Sequence, residues 1–279
     1  MSIRPIIRKN ARDSLRHHWG RAIGMLLFLI CINVLFLLLE QLFCYLLSLN
    51  IPEEPALVVD LLQGRLRLTG SMAIVTLTFA VVSFVLTTPL CFGMAKWYYH
   101  QVGGERPSLQ ILFTCFYSMK ELWRSIALRI LLAVRILFWR AVFSIPAVLL
   151  FLARRLLAGW QSDYALFLQV GLFALQILVS LILTVLWFVF IQRYFLAGYL
   201  FVSGSGEGLH AMIRRSVRIM KGNCRETAAL LFSFFPWFLL SVLVIPLLFV
   251  LPYLYASMAI NARVLLERDT RKQEAQSDN

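Results

Sequence analysis

From residue 22 onward, apolar positions fall in long unbroken runs, and polar positions gather between them. The first run, Ala22 to Leu49, is 28 residues long; a helix needs roughly 20 apolar residues to cross a bilayer. The same pattern predicts six spans, at about 22–47, 71–95, 122–152, 164–191, 227–245 and 248–266. The 122–152 segment, at 31 residues, is over-long and must tilt or project from the membrane. The last two spans come from one 40-residue stretch, Thr227 to Leu266, interrupted by Pro246 and Pro252. As a single helix it would measure about 60 Å, twice the hydrocarbon core, so two spans joined by a tight turn are expected, with one kinked helix as the alternative. Pro89 predicts a kink near the end of the second span. The first run exceeds the roughly 7–15 apolar residues of a signal core, which makes it an uncleaved span.

Shorter segments between the runs carry a helical period with one basic side. In residues 2–20, Ile3, Ile7, Ala11, Leu15 and Trp19 recur every four positions beside Arg4, Arg8, Arg12 and Arg16. That is an amphipathic helix suited to an anionic membrane face. Leu209, Met212, Ile213, Val217 and Met220 repeat the pattern beside Arg214, Arg215, Arg218 and Lys221. Ser108 is placed to cap a short helix whose apolar face is Leu109, Leu112, Phe113 and Phe116. Residues 50–70 hold an amphipathic stretch (Leu57, Leu61, Leu62, Leu66) expected on the outer surface, and Ser203 to Gly208 reads as a flexible loop. The chain thus divides into a basic amphipathic helix (1–21), a transmembrane domain (22–266) and a polar tail (267–279), the tail expected to be disordered. A weak threefold repeat, a short amphipathic helix leading into a pair of spans, covers 2–95, 108–191 and 209–266.

Composition supports this solvent assignment. Hydrophobic residues are 60% of the chain, charged residues 15%, and mean hydropathy is +0.78, against roughly 45–50% and about 25% for soluble domains. The expected fold is an all-α polytopic transmembrane bundle with cytoplasmic interfacial helices. A net charge of +13 raises nucleic acid as a partner, but the distribution of the charge argues against it. With both termini inside, cytoplasmic segments hold twenty Lys and Arg, and external loops hold four: Arg65, Arg67, Arg154 and Arg155. This is the positive-inside bias, and it implies a membrane protein with cytoplasmic N- and C-termini.

Catalytic patterns are missing. There is no His-Glu-x-x-His, Gly-x-Ser-x-Gly or Walker loop. The five cysteines form no Cys-x-x-Cys pair, and the adjacent His17 and His18 point about 100° apart on a helix, so neither a metal nor a cofactor is expected. Candidate chemistry lies in polar residues inside the spans: Asn33, Glu40, Arg129, Arg135, Arg140 and Gln176. A charge in the bilayer costs a few kcal/mol and by default marks function with a partner. Glu40 and Arg140 fall at comparable depth, which suggests an ion pair; the competing reading has the arginines of an over-long helix snorkelling to lipid phosphates. Head-group candidates are Arg8, Arg12, Arg16, Arg214, Arg215, Arg218 and Lys221.

Particular short motifs resemble a known family. The opening Ala11-Arg12-Asp13-Ser14-Leu15-Arg16-His17-His18-Trp19-Gly20-Arg21-Ala22-Ile23, the run Arg193-Tyr194-Phe195-Leu196-Ala197-Gly198-Tyr199, the segment Ser216-Val217-Arg218-Ile219-Met220-Lys221-Gly222 and Leu251-Pro252-Tyr253 are similar to a bacterial integral membrane family, common in Firmicutes, known only as a domain of unknown function. The resemblance covers nearly the whole chain and implies a six-span plasma-membrane protein without an assigned activity. That family is distantly similar to the membrane domain attached to some glycerophosphodiester phosphodiesterases, which implies proximity to lipid head groups. The function expected is non-enzymatic, through binding of anionic lipid or assembly with another membrane protein or a second copy. The alternative is a transporter or channel for an anionic solute or lipid, with Arg135 and Arg140 as binding charges.

Overall fold

The computed structural model describes residues 4–16, 18–48, 70–157, 163–204, 206–240 and 244–277, which are almost entirely helical and contain no strand. The 50–69 stretch, the outer turn at Gly159 and Trp160, and His17 lie outside the described residues. Helix α1 (Arg4–Leu15) accepts Pro5 in its first turn, where a missing N–H costs nothing. It is followed by α2 (Trp19–Leu46) and α3 (Gly70–Gln101), then a 3-10 helix (Leu109–Phe116). Next come α4 (Met119–Leu157), α5 (Asp163–Ile191) and, after a 3-10 turn, α6 (Phe195–Val202). The chain ends with α7 (Leu209–Met220), α8 (Cys224–Phe232), α9 (Phe235–Leu240) and α10 (Val244–Ser277). Five helical segments are long and apolar enough to cross a membrane: Trp19–Leu46, Ser71–Gln101, Met119–Leu157, Phe167–Val202 and Pro246–Gln276. The protein is an all-α polytopic membrane bundle.

The short elements gather at one end of the long helices. Gln101 Nε2 donates to the Ser14 carbonyl at 3.3 Å, Arg124 Nη2 to the Glu207 carbonyl at 2.8 Å, and Trp97 Nε1 to the Pro107 carbonyl at 3.2 Å. Together they tie α1, α3, α4 and the α6–α7 loop into one basic end. The 3-10 helix lies flat against α3, and a Cβ at Gly93 would collide with the Leu112 backbone, so only glycine permits the approach. The buried core sits here too: Trp97, Tyr98, Leu128, Leu196, Leu200, Met212, Ile213, Met220 and Phe234 are all under 2% exposed.

Residues 227–266 depart from the expected pair of spans. The chain breaks at Ser233–Phe234 and resumes as the short α9, whose first turn holds Pro236. Pro246 falls in the first turn of α10 and Pro252 within it, and neither ends the helix. Asn261 Nδ2 donates to Thr227 Oγ1 at 3.1 Å, and the Phe234 and Tyr253 rings meet at 5.2 Å, so α8 runs antiparallel to α10 as a hairpin. Its reach is short. Tyr255, Cys91 and Arg129 line one cavity and mark a common level. From there α4 continues about 42 Å to Leu157 and α3 about 30 Å back to Gly70, whereas α10 extends only about 17 Å back to Val244. Four helical segments, α2, α3, α4 and α5 with α6, run the length of the molecule, and the last hairpin enters about half as far. The third unit of the proposed repeat therefore lacks the long first helix of the other two.

A second departure concerns the tail. Expected to be disordered from its polarity, residues 267–277 continue α10 without interruption. Asp269 there pairs with Arg215 of α7 at 3.1 Å, which ties the extension to folded structure.

Candidate intramembrane cavity and basic surface

A cavity of about 300 Å³ opens between α3, α4, α6 and α10. Arg129 is its one cation, and the hydroxyl-bearing residues Thr88, Tyr199 and Tyr255 line it as well. Gly198 lines the cavity where α6 crosses Phe92, and a Cβ there would make ordinary contact at 3.5 Å from that ring. Arg129 and Cys91 remain exposed, so the cleft communicates with its surroundings. Among the described residues Arg129 forms no ion pair or hydrogen bond. A guanidinium with no carboxylate partner among the described residues is left with donors that an oxyanion could accept from.

The other polar residues predicted within the spans behave differently. Arg140 does not meet Glu40. Its Nη1 donates to Thr184 Oγ1 at 3.1 Å, and its guanidinium lies 5.2 Å from the centre of the Trp187 ring. The physical reason is helix order: α2 packs on α3 and α10, while α4 forms its long hairpin with α5. Arg140, exposed on the bundle surface, thus meets an aromatic face and a hydroxyl on the neighbouring helix instead of a carboxylate. Arg135 is half-buried and, among the described residues, has no ion-pair partner. Asn33 Nδ2 donates back to the Leu29 carbonyl at 2.8 Å. Gln176 Oε1 is buried with no hydrogen-bond partner among the described residues. Of the six candidates, only Arg129 lines this cavity.

The amphipathic helices spend their apolar sides on protein. Ile7, Ala11 and Leu15 are at most 5% exposed and face α10, and Met212, Ile213 and Met220 are buried beneath α7. A stripe suited to lipid is equally suited to a protein groove, because both media are apolar. The basic sides divide accordingly. Arg12, Arg16, Arg214, Arg218 and Lys221 are exposed. Arg8 lies 5.5 Å from the centre of the Phe234 ring, and its carbonyl accepts a hydrogen bond from the Tyr253 hydroxyl at 3.1 Å. Arg215 is committed within the chain to Glu207 and Asp269. Burial works to lower its pKa, but the hydrogen bonds and charges of these two carboxylates outweigh it and raise the value above the ordinary one. Arg215 therefore acts as a clasp rather than a free head-group ligand.

Sequence reasoning missed several partners. Thr88, Tyr199 and Tyr255 sit in apolar runs, where nothing marks a hydroxyl as facing a cavity. The Thr227–Asn261 bond did leave a signal, since an asparagine inside an apolar run needs a polar partner. Among the described residues, no three His, Cys, Asp or Glu side chains converge as metal ligands.

No curated protein and no solved structure matches the chain. A family model described as "Protein of unknown function (DUF975)" matches residues 1–269. With the helical architecture and the motif resemblance pointing the same way, the chain belongs to that family, DUF975, whose function is unknown.

Proposed function

We propose that this protein is a non-enzymatic component of a bacterial plasma membrane that binds anionic lipid through the Arg129 cleft, with both termini cytoplasmic. The observation that carries this reading is the Arg129 guanidinium, without a carboxylate partner among the described residues, on an open cleft beside Tyr255, Tyr199 and Thr88. A phosphodiester supplies the missing counter-charge, and the hydroxyls supply further donors to its oxygens. Flanking Phe84 and Phe195 offer apolar contact for the start of an acyl chain. Proximity to glycerophospholipid head groups is also what the resemblance to the membrane domain of glycerophosphodiester phosphodiesterases implies.

Charge and reach together support this topology. Four full crossings return the chain to its starting side, and the shallow hairpin of α8, α9 and α10 enters and leaves on that same side. This keeps α1, α7 and the α10 extension, with their Lys and Arg, in the cytoplasm, as the positive-inside rule requires.

Native mass spectrometry of protein released gently from its own membrane tests the ligand. Wild-type chain is expected to retain a stoichiometric anionic lipid, R129Q to bind it about tenfold more weakly, and R135Q to keep it. Full retention by R129Q refutes the assignment.

A further inference from the structure

A second cavity, of about 340 Å³, lies at the basic end, between the α7–α8 turn and the extension of α10; its cytoplasmic exposure rests on the topology proposed above. Arg218 and Lys221 reach it from one side, Arg268 and Lys272 from the other. Only one carboxylate lines it, Asp269, and that group is already paired with Arg215 at 3.1 Å. Among the described residues none of the four cations forms an ion pair. At Gly222, with φ of +92°, the C-terminus of α7 meets the N-terminus of α8, so the two helix dipoles oppose and the side chains set the sign of the field. The apolar lining is limited to Ile219 and Leu265, too little to hold an acyl chain.

The four convergent cations are exposed and repel one another only modestly in water, and a bound polyanion would turn that repulsion into attraction. The α10 extension brings two of them in, and the Arg215–Asp269 clasp holds it there. We infer that this cavity is a binding site for a multiply charged phosphate group presented from the cytoplasm. The size suits a phosphorylated small molecule or a phosphate-rich head group, and a compact polyanion satisfies all four charges at once. The cavity shares no lining residue with the Arg129 cleft, so it stands independently of the lipid reading.

The test uses the full chain in nanodiscs of phosphatidylcholine, with inorganic tripolyphosphate as the probe and equilibrium binding as the measurement. Saturable binding at one site per chain is expected, weakened about tenfold for each cation removed. R268Q/K272Q and R218Q/K221Q should each lose it, R129Q should keep it, and R12Q/R16Q, which removes equal charge from α1, should keep it. If R218Q/K221Q fails to fold, R268Q/K272Q decides alone, since both residues are exposed on the extension. A second arm compares nanodiscs containing phosphatidic acid, a phosphomonoester lipid, with nanodiscs containing phosphatidylglycerol at matched surface charge. Weaker tripolyphosphate binding with phosphatidic acid than with phosphatidylglycerol identifies a lipid head group as the competing source, and equal binding identifies a soluble anion. No saturable binding, or an equal loss in R12Q/R16Q, overturns the site.

Discussion

Helix α4 passes through two environments. Near its start Leu128 is 0% exposed, packed among α3 and its neighbours, whereas nine residues later Leu137 is 67% exposed. The contrast holds for the whole molecule. Towards the basic end, Trp97, Tyr98 and Tyr255 form a run of aromatic contacts at 5.1 and 5.6 Å, and buried side chains from α1, the 3-10 helix, α6, α7 and α8 join them. Towards the other end, α4 and α5 show lipid-type surface, with Ile145, Leu149, Phe167 and Leu181 all over half exposed. In lipid, apolar side chains gain nothing by leaving the solvent for one another. Fold specificity must therefore reside where packing is tight and polar groups are paired, which is the basic half. The half away from the basic end need only be apolar and long enough.

The sharpest way to break this comparison is a pair of glycines. Gly93→Ala drives a methyl group into the Leu112 backbone, which cannot move without displacing the 3-10 helix. A cost above about 3 kcal/mol is expected, seen as loss of monodisperse protein in size-exclusion chromatography. Gly171→Ala, on α5 with nothing within 4 Å of the new methyl, should be neutral or stabilising by up to about 1 kcal/mol through helix propensity. Equal outcomes would mean that the two halves are equally constrained.

Leucines on one helix sharpen it. Leu128→Ala leaves a cavity in tight packing and should cost about 2–5 kcal/mol. Leu137→Ala should cost less than about 1 kcal/mol, because lipid or detergent fills the space. Unfolding midpoints in one detergent decide the matter. If Leu137→Ala costs as much as Leu128→Ala, a protein surface covers the half away from the basic end, and a second copy of the chain becomes the first suspect.

What could be read from sequence follows the same division. Long apolar runs identified α2 to α5, because hydropathy and length are the only demands lipid makes. The fourfold spacing of Ile7, Ala11 and Leu15 identified α1 and its buried stripe. It could not say whether that stripe met lipid or α10, since transfer to either medium looks alike in composition. Residues 227–266 failed for a different reason. Their apolar character was read as two spans joined by a tight turn near Pro246. Helix α9 ends at Leu240 and α10 begins at Val244, close to that turn, but the first arm is interrupted at Ser233–Phe234, ahead of Pro236, which disfavours helix in the residues before it. Polarity likewise misled at 267–277, where the helix persists because Asp269 finds Arg215 on another element. The Arg129 cleft was half legible: an intramembrane arginine is conspicuous, but its hydroxyl neighbours come from three other helices and no local pattern joins them.

The Arg215 clasp gives the smallest expected effect, and it tests whether tightness extends to the very end of the basic half. Arg215 is 20% exposed and Asp269 14%, so the pair is only partly screened and is worth about 0.5–1 kcal/mol. R215Q should leave global unfolding nearly unchanged and speed hydrogen exchange in 267–277 selectively. The raised Arg215 pKa fixes the pH response. Its contribution is present below the unfolded-state value and disappears only as pH climbs through the still higher folded value, so mildly alkaline buffer should not open the extension. Salt should, because it screens a partly exposed pair. Exchange in wild-type protein is thus expected to rise with ionic strength towards that of R215Q, whose own exchange should respond little. If R215Q and wild type exchange alike at low salt, the extension is held by helix propensity alone, and the packed region of the molecule ends near Leu266.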